Sequence, residues 1–147
     1  MKRVTLLLVL LMVPFASWAN ELTKKNKELV TNFYNEVVLN AGYEKLDTFV
    51  GETYIQHNPD IADGKEALRD LLKSLVPEVK SGGPLGEIVR VIAEENMVAL
   101  HVKFYSWPGE NGGAVMDIFR VEDGKIIEHW DVVQAIPDTF ANSNGMF

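Results

Sequence analysis

Apolar positions recur at two different spacings along the chain, and the switch between them divides it. From Glu21 to Ala41, residues Leu29, Val30, Phe33, Val37 and Val38 return at helical intervals, with Lys24, Lys25, Lys27 and Glu28 placed elsewhere. This predicts an amphipathic helix that lays one apolar stripe on a core and ends at Gly42. Tyr43 to Val50 suits a short second helix that buries Leu46 and Phe49. A third helix is expected from Asp63, which has capping-box spacing to Glu66. Its stripe is Ala67, Leu68, Leu71, Leu72, Leu75 and Val76, and Pro77 is expected to end or distort it.

After Ser81-Gly82-Gly83-Pro84 the period becomes two. Strands are predicted at Glu87–Ala93, Val98–Trp107, Ala114–Val121 and Lys125–Val133, all rich in β-branched and aromatic residues. Glu95-Asn96 and Asp123-Gly124 are hairpin signals, and Pro108–Gly113 is a longer loop. Helices followed by a strand meander predict an α+β fold, with the helices on one face of a curved antiparallel sheet. Residues 137–147, polar and small apart from Phe140, Met146 and Phe147, are expected to be a loose tail.

The N-terminus changes the picture of location. Met1-Lys2-Arg3, an apolar run from Val4 to Phe15 and Ser17-Trp18-Ala19 have the three parts of a secretory signal peptide. Residues 1–19 are therefore read as a signal segment and 20–147 as one exported domain, periplasmic or secreted. Loss of Lys2 and Arg3 takes the formal charge from −7 to −9. An acidic chain without a basic cluster argues against nucleic acid and anionic membrane surfaces as partners. Without cysteine, disulfides and thiolate chemistry are excluded.

Three stretches set ionisable groups among apolar neighbours: Tyr54-Ile55-Gln56-His57-Asn58-Pro59, Val115 to Arg120, and Ile126 to Gln134. Gln56-His57-Asn58-Pro59, Asp63-Gly64-Lys65-Glu66-Ala67 and above all the block from Asp117 to Gln134 resemble the SnoaL-like polyketide cyclases of the NTF2-like group. The similarity is to the branch of predicted aldol-condensation-catalysing enzymes and extends over essentially the whole mature chain. It implies a cone of curved sheet closed by helices around one pocket, and often dimerisation through the sheet. It also implies an aspartate on the last strand, here Asp131, acting as general acid/base without metal or cofactor. His57 and Asn58 would then help to position a small apolar or carbonyl-bearing molecule.

Strand parity tests whether these groups can share a site. Residues two apart on a strand face the same way, so His129 and Asp131 are expected on one face with Ile127 and Val133, and Glu128, Trp130 and Val132 on the other. A two-residue Asp123-Gly124 turn would pair Val121 with Ile126 and set Asp117 opposite Trp130. A three-residue Glu122-Asp123-Gly124 loop would pair Val121 with Lys125 and set Asp117 opposite His129 and Phe119 opposite Ile127. We expect the three-residue loop, which gathers Asp117, Phe119, His129 and Asp131 on one face and lets Arg120 lie diagonal to Glu128 on the other.

Such a face supports proton transfer. A carboxylate in an apolar cup loses hydration and becomes a usable base, and a neighbouring imidazole can stabilise an enolate oxygen. The catalytic candidates are Asp131, His129 and Asp117, with His57, Asn58 and Phe119 lining the substrate site. These residue types also bind metals, but no His pair at helical spacing accompanies them, and neither metal nor cofactor is expected. Parity sends His101 to the surface or to an interface. Two readings stay open: a cofactor-free lyase or isomerase, and a non-catalytic binding protein or dimeric scaffold.

Overall fold

The computed structural model describes residues 15–147. The expected signal segment, residues 1–19, lies outside them except for the helical backbone of residues 15–19. Helix α1 (Phe15–Phe33) runs into a π-helical turn (Tyr34–Val38); a 3₁₀ turn (Tyr43–Lys45) and a short α2 (Leu46–Phe49) follow. Then come β1 (Val50–Gln56), α3 (Lys65–Gly82), β2 (Gly86–Glu94), β3 (Met97–Phe104), β4 (Gly113–Glu122) and β5 (Lys125–Ala135). The strands form one curved, unclosed sheet in the order β1-β5-β4-β3-β2, antiparallel except for the parallel β1–β5 pair.

The helical stripe packs as the periodicity predicts. Val30, Phe33, Val37, Leu46, Phe49, Leu68 and Leu72 are buried against Val98, Leu100, Val102, Val115, Phe119, Val121 and Ile126 of the inner sheet face. Tyr34 belongs to the same stripe, since Val30, Phe33, Tyr34 and Val37 stand at i, i+3, i+4 and i+7 and all four are buried. The π-helical turn that starts there has wider bonds, Leu39 N–H to Tyr34 O at 2.8 Å and Gly42 N–H to Val37 O at 3.1 Å.

Three expectations about the elements are corrected. Residues 50–56, assigned to the end of a helix and a linker, form the edge strand β1. Asp63 does not cap α3. Its Oδ1 accepts from the backbone N–H of Gln56 at 2.8 Å, and Gly64 holds the cap position without a side-chain bond. Pro77 does not stop α3, which continues to Gly82. Pro77 is exposed, so water can satisfy the carbonyl that lost its donor. The tail carries no regular structure, yet Phe147 stacks on His101 at 5.3 Å.

The β4–β5 hairpin has the decisive register. Glu122 pairs with Lys125 and Val121 with Ile126, so the turn is the two-residue Asp123-Gly124. Both turn residues have positive φ, 49° and 71°, as a type I′ turn requires. The expected three-residue loop is thus absent. Continued without interruption, this register would bury Glu128 and turn His129 outward. Instead the pairing shifts after Val121, Arg120 lies directly opposite Glu128, and Ile127 is bulged out of the ladder. The physical reason is the cost of burying a carboxylate. With the bulge, Glu128 reaches Arg120 on the outer face at 2.7 Å, while Phe119 and His129 pair on the inner one. The core residue is therefore Ile126, not Ile127. The bulged side chain finds its room at Gly51, where a Cβ would stand 3.2 Å from Ile127 Cγ2.

Candidate active site

The register sets Asp117 directly across from Asp131, with Phe119 across from His129, on the inner face. These four residues line a cavity of about 350 Å³ between the sheet and helices α1 and α3. Its walls are mainly aliphatic and aromatic, a size and character typical of small-molecule pockets. Asp117 and His129 are buried, and Asp131 is half-buried.

The hydrogen bonds fix what each group can do. The backbone N–H of Asn58 donates to Gln56 Oε1 at 2.9 Å, and the same oxygen lies 2.9 Å from His129 Nδ1. Since that oxygen only accepts, Nδ1 must carry a proton. His129 Nε2 lies 2.9 Å from Asp117 Oδ1, and Tyr34 donates its hydroxyl to Asp117 Oδ2 at 2.7 Å. One proton is thus shared between Asp117 and His129, either as an ion pair or as a carboxylic acid facing a neutral ring. His129 is further held by stacking on Phe119 at 4.8 Å.

Burial pushes the Asp117 carboxyl above its ordinary value, against the lowering effect of hydrogen bonds from His129 and Tyr34; the nearby Asp131 adds to the rise. Burial, then the charge of Asp117, likewise raises Tyr34 and Tyr54, so both remain phenols. A carboxyl with a raised pKa binds more protons folded than unfolded. Its stabilising contribution is complete below the ordinary value of 3.8 and is lost as pH rises through the elevated one. Asp117→Asn should therefore flatten the decline of stability with rising pH in this window, measured by urea unfolding at a series of pH values.

Asp131 differs from its neighbour. Its Oδ2 accepts from Asn58 Nδ2 at 2.7 Å, and its other oxygen has no hydrogen-bond partner among the described residues. Asp117, His129 and Asp131 bring ligand-type atoms within 4.8 Å of one another. A metal there would have to displace the Asp117–His129 hydrogen bond, because both ring nitrogens are already engaged.

Two of the expected roles change, those of His57 and His129. His57 is not in the cavity lining. Its exposed ring stacks on Trp130 at 4.8 Å and contacts Glu128 Oε1 at 2.9 Å on the outer side. His57 and Arg120 together hold the Glu128 carboxyl below its usual range. Asn58 does line the cavity, where it orients Asp131. His129 has no ring nitrogen left for an enolate, so it anchors the network. His101 sits on the outer face, where Arg90 approaches its Nδ1 at 2.9 Å, and burial followed by the Arg90 charge lowers its pKa. Tyr34 and Gln56 were not singled out as functional. Gln56 lay within a quoted motif, and Tyr34 falls on the helical stripe of Val30, Phe33 and Val37, a spacing that could have found it.

A half-open sheet, covering helices and an apolar pocket with carboxylates on its floor define an α+β small-molecule fold of the NTF2-like class. The sequence profile of the SnoaL-like domain matches residues 30–129, and the chain belongs to that family. No curated protein sequence gives a significant match. Solved structures agree on the fold. A candidate polyketide cyclase from Bacillus cereus ATCC 10987 is 20% identical with a TM-score of 0.63, covering 80% of each chain. A candidate ketosteroid isomerase from Kribbella flavida DSM 17836 is 14% identical with a TM-score of 0.62, covering 84% of this chain and 85% of that one. An LEH-like epoxide hydrolase from M. tuberculosis is 19% identical with a TM-score of 0.59, covering 76% and 84%.

Proposed function

We propose that the protein is an exported, cofactor-free enzyme of the lyase or isomerase type that moves a proton beside a carbonyl group. The observation that carries this reading is the difference between two facing aspartates. Asp117 is buried and shares its proton with His129, whereas Asp131 presents an unengaged oxygen to an apolar cavity. Paired acids held in unlike environments divide acid and base roles. In this scheme Asp131 abstracts the proton and Asn58 keeps its carboxylate aimed. The Tyr54 hydroxyl, which donates to no described residue, stabilises the developing enolate oxygen. Asp117 and His129 position the floor, and Phe119 packs against the substrate.

The test is proton–deuterium exchange at the α-carbon of carbonyl compounds, after a screen for those that raise the melting temperature. Exchange above the uncatalysed rate is expected for at least one stabilising compound. Binding without exchange would favour the second reading, a periplasmic carrier, which the largely apolar walls of the cavity support.

Export is part of the proposal and is compatible with the packing. Among residues 20–147, the first buried side chain is Asn26, beyond the expected cleavage point. Intact-mass measurement of protein from a periplasmic fraction should give a chain beginning at Asn20 or within one or two residues of it. A retained Met1 would count against export. We place the expected homodimer contact on the outer sheet face, where Met116, Ile118 and Val132 are exposed.

A further inference from the structure

The cavity has a charge pattern that its apolar walls do not require. Among the described residues its lining contains four carboxylates and neither lysine nor arginine. Asp117 and Asp131 form the floor. Asp60, from the loop after β1, and Glu78, from the later turns of α3, are exposed residues of the same lining and so stand at the mouth. Their hydrogen bonds run through the backbone, from Asp60 N–H to Asn58 Oδ1 at 2.8 Å and from Ser81 Oγ to the Glu78 carbonyl at 3.0 Å. Among the described residues neither carboxylate has a cation as its partner. His129 is the one basic side chain of the lining, and both its nitrogens are occupied.

An anionic ligand entering this cavity gives up hydration and meets Asp60, Glu78 and Asp131 without a counter-charge, since the proton shared by Asp117 and His129 leaves that pair neutral. An uncharged one gives up little and gains apolar burial. We infer that Asp60 and Glu78 make the site charge-selective, and that its substrates are uncharged apolar carbonyl compounds, with carboxylates, phosphates and phosphate-bearing carriers turned away. The inference rests on the reading that the cavity takes small carbonyl compounds, and it names the class among them.

The test uses three ligands of one shape: benzylacetone, hydrocinnamide and hydrocinnamate, a ketone, an amide and a carboxylate. Binding is measured by isothermal titration calorimetry on the mature chain at low and at high salt. The two neutral compounds are expected to bind, and hydrocinnamate at least about tenfold more weakly at low salt, with the gap narrowing as salt screens the mouth. In the double variant Asp60→Asn/Glu78→Gln, hydrocinnamate should gain about threefold or more while benzylacetone is unmoved. A melting curve of the variant confirms that these exposed changes leave the fold intact. Hydrocinnamate binding as tightly as benzylacetone, failure of both neutral compounds to bind, or an unchanged ratio in the double variant would each overturn the inference. Because the readout is binding, its failure is separable from that of the catalytic reading. The ranking without any α-proton exchange would remove the enzyme and leave the selectivity standing. Exchange without the ranking would do the reverse.

Discussion

Asp131→Asn should abolish most α-proton exchange while leaving ligand binding nearly intact. The substitution keeps the shape, and the amide oxygen can still accept from Asn58 Nδ2 where Oδ2 now does. What disappears is the basic oxygen facing the cavity. The expected loss in exchange rate is about 10²–10⁴-fold, the usual worth of a positioned acid or base, with affinity changed by less than about tenfold. Isotope exchange followed by NMR, with calorimetry on the same samples, separates the two effects. Exchange that persists undiminished would remove Asp131 from the mechanism.

His129→Ala is expected to lose both stability and activity. It leaves Asp117 buried with Tyr34 as its remaining hydrogen-bond partner, deprives Gln56 Oε1 of one of its two donors and takes a ring from the face of Phe119. Stranding a buried polar group in this way costs about 1–3 kcal/mol, read as a lower urea midpoint with an unchanged slope. As a positioning residue, His129 should, when removed, also lower the exchange rate per folded molecule, because Gln56 loses the ring that fixes it, and Gln56 in turn holds the backbone of Asn58, which aims Asp131. Full exchange activity in the folded fraction would make the Asp117–His129 pair a packing device alone.

Much of this arrangement was legible in the periodicities. The amphipathic helices and the four-strand meander follow from spacings of roughly 3.6 and two, and the family resemblance carried the fold. The edge strand β1 was not legible. Gly51, Glu52 and Thr53 interrupt its pattern, and its partner β5 lies some seventy residues away, beyond the reach of any local window. The position of His57 could have been found. Extending the alternation of β1 by two residues turns Gln56 inward, His57 outward and Asn58 inward, as the structure shows. The shared face of Asp117 and His129 was anticipated for the wrong reason. The turn is the tighter of the two considered, and the bulge at Ile127 restores the parity. A bulge depends on which side chain is too costly to bury, so only Glu128 and Arg120 taken together carry its signal.

That bulge turns the segment between Asp117 and Asp131 into a counting device. With a two-residue turn, residues of a regular antiparallel ladder pair only across an odd separation, yet Asp117 and Asp131 are 14 apart and face each other, so the one unpaired residue makes up the difference. Deleting Ile127 alone would shorten the chain by one and leave a regular ladder in which Glu128 still faces Arg120 and His129 still faces Phe119, so the site would keep its parity and lose only the local bend. Straightening the strand without shortening it would instead bring Glu128 inward and send His129 and Asp131 to the outer face. An engineer may therefore graft a longer loop onto Asp123-Gly124 freely, as long as Glu122 stays paired with Lys125 and one unpaired position stays between Ile126 and Glu128.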